Sequence, residues 1–248
     1  MTSSNSRHDA GGTGTRSEGE YLIQMLAALV ESLGEALPPT SELLLHDLSK
    51  LPNSIVAISG TVTRRRVGDP ATDLLLGAAA KGEFQTKIGY ETRLGDGRRM
   101  KSSTVIVRDS SGTAIAAMCV NTDLSAWEEI HHISALMLGL AGATTDAPVQ
   151  PAPTFPSESE EIFTSDVDEL AMHLINKATA VSGIPVELMR KKHKIEIVRE
   201  LNARGFFMLK GAADKAATAL RVSRFTIYNY LNEISEGSQV GGEEEETA

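Results

Sequence analysis

The sequence predicts an α+β chain: an antiparallel sheet with flanking helices, joined to a domain built only of helices. Three observations lead there. Apolar residues between 41 and 123 recur in short, strand-like runs, broken by one helical excursion. A stretch with four prolines, "ATTDAPVQPAPTFPSESEE" at 143–161, then interrupts all periodicity and reads as an interdomain linker. Everything after it carries the 3.6-residue period. The 248 residues, 41% hydrophobic and 23% charged, suit a globular protein able to bury a core.

The first helix is "YLIQMLAALVESLGEALPP" at 21–39. Leu22, Met25, Leu26, Leu29, Val30 and Leu33 form its stripe, which stops near Gly34 and Pro38-Pro39. The stripe covers a core or pairs in part with a second chain. Strand-like runs follow at "SELLLHDL" and "SIVAIS". The turn "GDP" then introduces the helical "TDLLLGAAA". Three more strands, "TKIGYETRL", "RMKSSTVIVRD" and "TAIAAMCVN", are joined by the turn signals "GDGR" and "DSSGT". In the middle one Val105 and Val107 alternate with Thr104 and Ile106, so one face is apolar and the other partly so. A helix over "LSAWEEIHHISALMLGLAG" comes next, capped by Asp123 or Ser125 and ending at Gly142. Its stripe is Trp127, Ile130, Ile133, Leu136, Met137 and Leu140. Beyond the linker, "DVDELAMHLINKATAVSG" and "PVELMRKKHKIEIVRELNARG" are helical and close on glycine, with Pro185 in a first turn.

The last motif is "GAADKAATALRVSRFTIYNYLNEI" at 211–234, two helices and a turn. Ala213, Ala216, Ala217 and Leu220 mark the buried face of the first. Val222 plugs the turn, Ser223 caps the second helix, and Ile227, Leu231 and Ile234 continue the core. This is the layout of a helix-turn-helix. Ser223, Arg224, Phe225, Thr226, Tyr228 and Asn229 are left for DNA: Arg can pair with guanine, Asn with adenine, and hydroxyls can hold phosphates. Arg221 stands where many such turns have glycine, and a positive φ there would cost roughly 1–2 kcal/mol.

The chain's net charge of −9 is unevenly spread. Ten basic and three acidic residues lie between 190 and 232, which makes that segment +7 and leaves −16 for the remainder. A basic module on an acidic remainder is what attraction to phosphates requires. Lys191, Lys192 and Lys215 belong to this surface. The single cysteine, Cys119, excludes an internal disulfide and a cysteine-rich zinc site. P-loop, GxGxxG, GxSxG and HExxH motifs are absent, so no enzyme, cofactor or metal site is expected. His131 and His132 diverge around their helix and are poorly placed to chelate one ion. No apolar run reaches the ~20 residues of a membrane span, and the first 20 residues lack the apolar core of a secretory signal.

The runs "LLLHDLSKLPNSIVAISG", "RRRVGDPATDLLL", "GYETRLGDGRRMKSSTVIVRDSSGTAIAAMCVNTD" and "AATALRVSRFTIYNYLNE" together resemble the YheO/DauR family of bacterial transcriptional regulators. The resemblance covers about residues 20–235, without the tails and linker. It implies a PAS-like sensor domain over 19–141 and a helix-turn-helix DNA-binding domain over 165–235, while composition makes 1–18 a disordered tail, 142–164 a linker and 236–248 an acidic tail. It also implies a repressor acting on double-stranded operator DNA that senses a small molecule, an amino acid such as D-arginine being one candidate; the lone cysteine suits a reducing cytoplasm. The rival reading is a PAS-containing signalling adaptor whose C-terminal helices bind protein.

Polar residues of the sheet are the expected effector contacts: His46 and Asp47 at the end of the first strand, Ser102 and Ser103 in the fourth, Cys119, Asn121 and Asp123 in the fifth. A cationic effector would need Asp47 or Asp123. Plainer roles are a loop-fixing histidine, a buried thiol, and an Asn121 and Asp123 that turn the chain into the next helix. A homodimer is expected, because symmetric operators are read by two-fold dimers. The helices at 20–34 and 125–140 are candidate dimer surfaces. Ligand binding would then shift the flanking helices, and the linker would pass the change to the spacing of two recognition helices.

Overall fold

The computed structural model describes residues 17–140 and 161–240. α1 (Glu18–Gly34) opens on a capping box: the Glu20 amide donates to the Ser17 hydroxyl at 3.2 Å, and the Ser17 amide to the Glu20 carboxylate at 3.0 Å. The helix therefore begins inside the expected tail over 1–18, whose other residues lie outside the described ones. It ends against the sheet, since a Cβ on Gly34 would lie 2.2 Å from the Cβ of Ser59.

Five strands follow: β1 (Ser41–Asp47), β2 (Ile55–Ser59), β3 (Lys87–Arg93), β4 (Arg99–Arg108) and β5 (Ala114–Asp123). They form one antiparallel sheet in the order β2-β1-β5-β4-β3, with α2 (Asp73–Lys81) inserted before β3. All seven residues of β1, an interior strand, are buried, because both faces are covered. On one face Leu43, Leu45, Ala57 and Ala116 meet Val30 of α1. The opposite face carries Glu42, His46, Ser102, Thr104, Cys119 and Asn121 at the alternate positions. The pairing of β1 with β2 shifts register between Leu45 and His46.

α3 (Ser125–Met137) departs from expectation at its cap and at its end. Leu124 occupies its N-cap without a side-chain bond, while Asp123 accepts the Ser125 amide at 2.9 Å. It stops at Met137, with Gly139 at φ +70°, short of Gly142, which lies outside the described residues. None of its residues is buried, so Trp127, Ile130, Ile133, Leu136 and Met137 face solvent.

The linker stretch 141–160 lies outside the described residues. The last expected linker positions, 161–164, pack against the sheet domain, with Glu161 and Thr164 buried. Four helices follow: α4 (Val167–Ser182), α5 (Lys191–Ala203), α6 (Ala212–Leu220) and α7 (Arg224–Val240). α4 closes on Gly183 at φ +61°. The helical period starting at Pro185 is broken into a 3-10 turn (Val186–Leu188) and α5, because Met189 takes an extended conformation and buries its side chain. α7 runs on to Val240, past the expected start of the acidic tail.

The two halves share a core. Ala71, Leu75 and Leu76 around α2 belong to the same apolar cluster as Leu170, Leu174, Leu201, Phe206, Leu220 and Ile227. Gly205, at φ +72°, makes the closest approach. A Cβ there would lie 2.4 Å from the Leu76 carbonyl oxygen.

Candidate nucleic-acid interface and ligand cavity

α6 and α7 are joined at Arg221, which adopts the left-handed region at φ +51°, ψ +54°. Its amide closes α6 on the Ala217 and Thr218 carbonyls. Ser223 then starts α7: its hydroxyl accepts the Thr226 amide at 3.1 Å and lies 2.8 Å from the Thr226 hydroxyl. Ile227, Tyr230 and Ile234 turn inward. Tyr230 is a core residue that the sequence pattern did not single out, and Leu231 is half-buried.

The outer side of the first two turns carries Arg224, Phe225, Tyr228 and Asn229, all exposed. Phe225 is 73% exposed, so it is not a packing residue here. The Arg224 guanidinium lies over the Tyr228 ring at 5.6 Å and donates to its hydroxyl at 3.1 Å. Asp214 is 3.4 Å from its other nitrogen. Lys191 pairs with Glu233 at 2.8 Å and Lys215 with Asp168 at 2.6 Å. Lys192 is exposed beside them.

A cavity of about 380 Å³ opens on the polar face of the sheet. Three residues singled out in the sequence line it: His46, Cys119 and Asn121. His46 Nδ1 is 2.8 Å from the Ser54 hydroxyl. Burial, then the Arg65 charge, lowers its pKa to about 3, so the ring is neutral near pH 7. Burial pushes the Cys119 thiol up to about 11, which keeps it protonated.

Asp47, Ser102, Ser103 and Asp123 do not line the cavity. Asp47 holds Ser49 and pairs with Lys50 at 3.2 Å. Ser102 donates to Asn121 at 2.9 Å and meets Thr92 at 2.7 Å. Ser103 accepts the Gly89 amide at 2.9 Å. Asp123 is paired with Arg98; burial opposes its ionisation, but the hydrogen bonds from Ser125 and then Arg98 together hold its carboxyl below the ordinary carboxylate range.

Other lining residues carry more of the chemistry. Glu42, fully buried, accepts the Thr63 amide at 3.0 Å and hydroxyl at 2.7 Å, and Thr63 accepts Arg65 Nε at 3.1 Å. The chain thus delivers Arg65 into the cavity, its guanidinium 5.1 Å over the Phe163 ring. Tyr90, whose hydroxyl is 2.9 Å from Thr104, and Glu161 line the same cavity. Burial raises both the Tyr90 phenol and the Glu161 carboxyl. Asp73 accepts the Ile162 amide at 3.0 Å and pairs with Lys177 at 3.8 Å. Glu200 and Ala203 of α5, with Arg204 at its C-terminal cap, complete the wall, so the cavity straddles both halves of the chain. Arg65 gave no sequence signal within "RRR", and Glu161 looked like one more acid of the linker.

A PAS-like sheet domain joined to a helix-turn-helix defines a DNA-binding transcriptional regulator. Residues 17–138 match the family model of the YheO-like PAS domain, and residues 170–232 match that of a helix-turn-helix domain. The chain is a YheO/DauR-like regulator. It is 28% identical to the transcriptional regulator DauR of Pseudomonas aeruginosa over 218 residues, 87% of this chain and 95% of that protein. It is 26% identical over 224 residues to the uncharacterized protein YheO of Escherichia coli, 89% of this chain and 88% of that one. A protein of Haemophilus influenzae is 25% identical over 221 residues. No solved structure matches. Among the described residues no helix is long and apolar enough to cross a membrane.

Proposed function

We propose that the chain is a sequence-specific repressor, acting as a homodimer on double-stranded operator DNA under the control of a small-molecule effector. The observation that carries the reading is the first two turns of α7. Four side chains able to read or hold DNA, Arg224, Phe225, Tyr228 and Asn229, are exposed there on a helix whose other side is locked into the core. Ser223 and Thr226 sit at its amino end, where phosphates are held. Lys191, Lys192 and Lys215 supply the flanking charge, the first and last by exchanging their carboxylate partners for phosphates.

Dimerisation follows from uncovered apolar surface. Trp127, Ile130, Ile133, Leu136, Met137, Leu138 and Leu140 are exposed on and after α3, and Tyr21, Met25, Leu29 and Leu33 on the outer side of α1. The effector is assigned to the cavity, with His46, Cys119 and Asn121 among its contacts. An amino acid such as D-arginine is the candidate to try first. A regulator of this kind works in the bacterial cytoplasm, where its DNA is.

A genome-wide DNA pull-down with wild type and Arg224→Ala tests the reading. Wild type should enrich a two-fold symmetric sequence, and the variant should lose about 1–3 kcal/mol on it. Equal, weak recovery of all sequences by both proteins would overturn specific recognition through α7. Loss of the chain should raise transcription next to the enriched sites, and light scattering on the operator complex should give two copies.

A further inference from the structure

We propose that the cavity binds a small carboxylate that also carries a hydrogen-bond donor, gripped between Arg65 and Glu161 and touching both domains. The proposal rests on the reading of the sheet domain as the sensor, and adds the chemistry of what it senses.

Two buried polar atoms in the cavity wall lack a partner: Nη1 of Arg65 and Oε2 of Glu161. Arg65 is 5% exposed and Glu161 7%. Leaving such groups unpaired is unfavourable, most of all for a charged one. Both are also held in place. Arg65 is fixed through Nε by Thr63 and by its stacking over Phe163. Glu161 sits one residue before Ile162, whose amide is bonded to Asp73. A fixed donor and a fixed acceptor in one cavity call for a ligand that supplies an acceptor to the first and a donor to the second.

Charge decides which end goes where. Among the described residues no carboxylate lies within ion-pair distance of the guanidinium, whose link to Glu42 passes through the Thr63 hydroxyl. A ligand carboxylate satisfies it best, because charge-assisted bonds to guanidinium are the strong ones. His46, neutral, and Cys119, protonated, add no charge of their own. At the other end a ligand hydroxyl or ammonium meets Glu161. Leu74, Leu75, Phe84, Ile106 and Phe163 give the body of the ligand an apolar wall. A volume of about 380 Å³ suits a metabolite-sized molecule.

The location explains how such a ligand would be felt. Glu161 and Phe163 lead into α4, while Glu200 belongs to α5 and Arg204 caps its end. A bound carboxylate therefore bridges the sheet domain and the helical domain directly.

Three matched probes test the chemistry on the full chain by ligand-observed NMR: lactate, propionate, which lacks the hydroxyl, and lactamide, which lacks the charge. Lactate should bind, with lactamide weaker by about tenfold or more and propionate weaker by a smaller factor. Arg65→Lys should weaken lactate while keeping the fold, and Glu161→Leu, which removes the acceptor, should erase the difference between lactate and propionate. No lactate binding, or equal binding of all three, would overturn the proposal. A neutral or purely cationic compound that shifts DNA affinity through this cavity would overturn it too, yet leave the sensor reading standing. If lactate binds as expected but DNA affinity never responds to any occupant, the sensor reading fails and the site remains.

Discussion

The α-carbon of Gly205 is packed against the carbonyl of Leu76, so closely that a Cβ would come within 2.4 Å of the oxygen. This is where the helical domain meets α2. Gly205→Ala combines that clash with an unfavourable φ of +72°. We expect it to lower stability by about 2 kcal/mol or more in urea unfolding. Leu76→Ala, which opens a cavity in the shared core, should cost roughly 2–5 kcal/mol. A Gly205→Ala protein as stable as wild type would mean the seam is not this tight.

Ser223 separates capping from charge. Ser223→Ala removes the acceptor of the Thr226 amide and should cost about 1 kcal/mol of stability. Ser223→Asp keeps an acceptor and should retain stability, but it places a negative charge at the DNA-facing end of α7. Thermal unfolding should rank Asp near wild type and above Ala, while a DNA titration should rank Asp lowest.

Arg221 holds a left-handed conformation without being glycine. Its ion pair with Glu187, 2.8 Å and exposed on both sides, offsets little of that cost. Arg221→Gly should stabilise the protein by about 0.5–1 kcal/mol, the relief of strain exceeding glycine's extra backbone entropy. Urea midpoints measure it.

His46 makes stability depend on pH. Its folded pKa, about 3, lies below the ordinary value of 6.5. The unfolded chain therefore binds a proton that the folded one refuses. The contribution is whole above pH 6.5 and lost as the pH falls toward 3. The loss amounts to roughly 2 kcal/mol by pH 5. Glu161, whose carboxyl is raised by burial, acts with the opposite sign: its contribution is present at low pH and lost on going up. Comparing His46→Asn with wild type across pH 4–8 isolates the histidine, and parallel curves would contradict the assignment.

Glu233 competes with DNA for Lys191. Glu233→Gln should free that lysine from its 2.8 Å ion pair. DNA affinity should rise at low salt, and the slope of log K against log salt should steepen by up to about one. Lys191→Ala should do the reverse on every sequence alike.

The sheet was legible because its strands alternate, and the residues on its polar face could be picked out where a Ser, Cys, His or Asn broke an apolar run. The helix-turn-helix was legible for a similar reason: Ser223 and the Ala213–Leu220 face are local signals. What could not be read depended on tertiary packing. Met189 interrupts a well-formed helical period only because the core takes its side chain. Asp47 and Asp123 looked like free carboxylates until their partners, Lys50 and Arg98, came into view. Glu161 has the same chemistry as the acids before it in the chain, and burial alone sets it apart.

The shared core around α2 has an evolutionary corollary. Many regulators are assembled from parts that can be exchanged, a reading head from one source and a receptor from another. Here Leu75 and Leu76 belong at once to the receptor and to the packing of Leu201 and Phe206 beneath the reading head. A transplanted helix-turn-helix would arrive without a surface cut to fit α2, and a receptor grafted elsewhere would leave those leucines bare. The two halves are bound to change together, so chimeras joined at the linker should need compensating substitutions on both sides of the join.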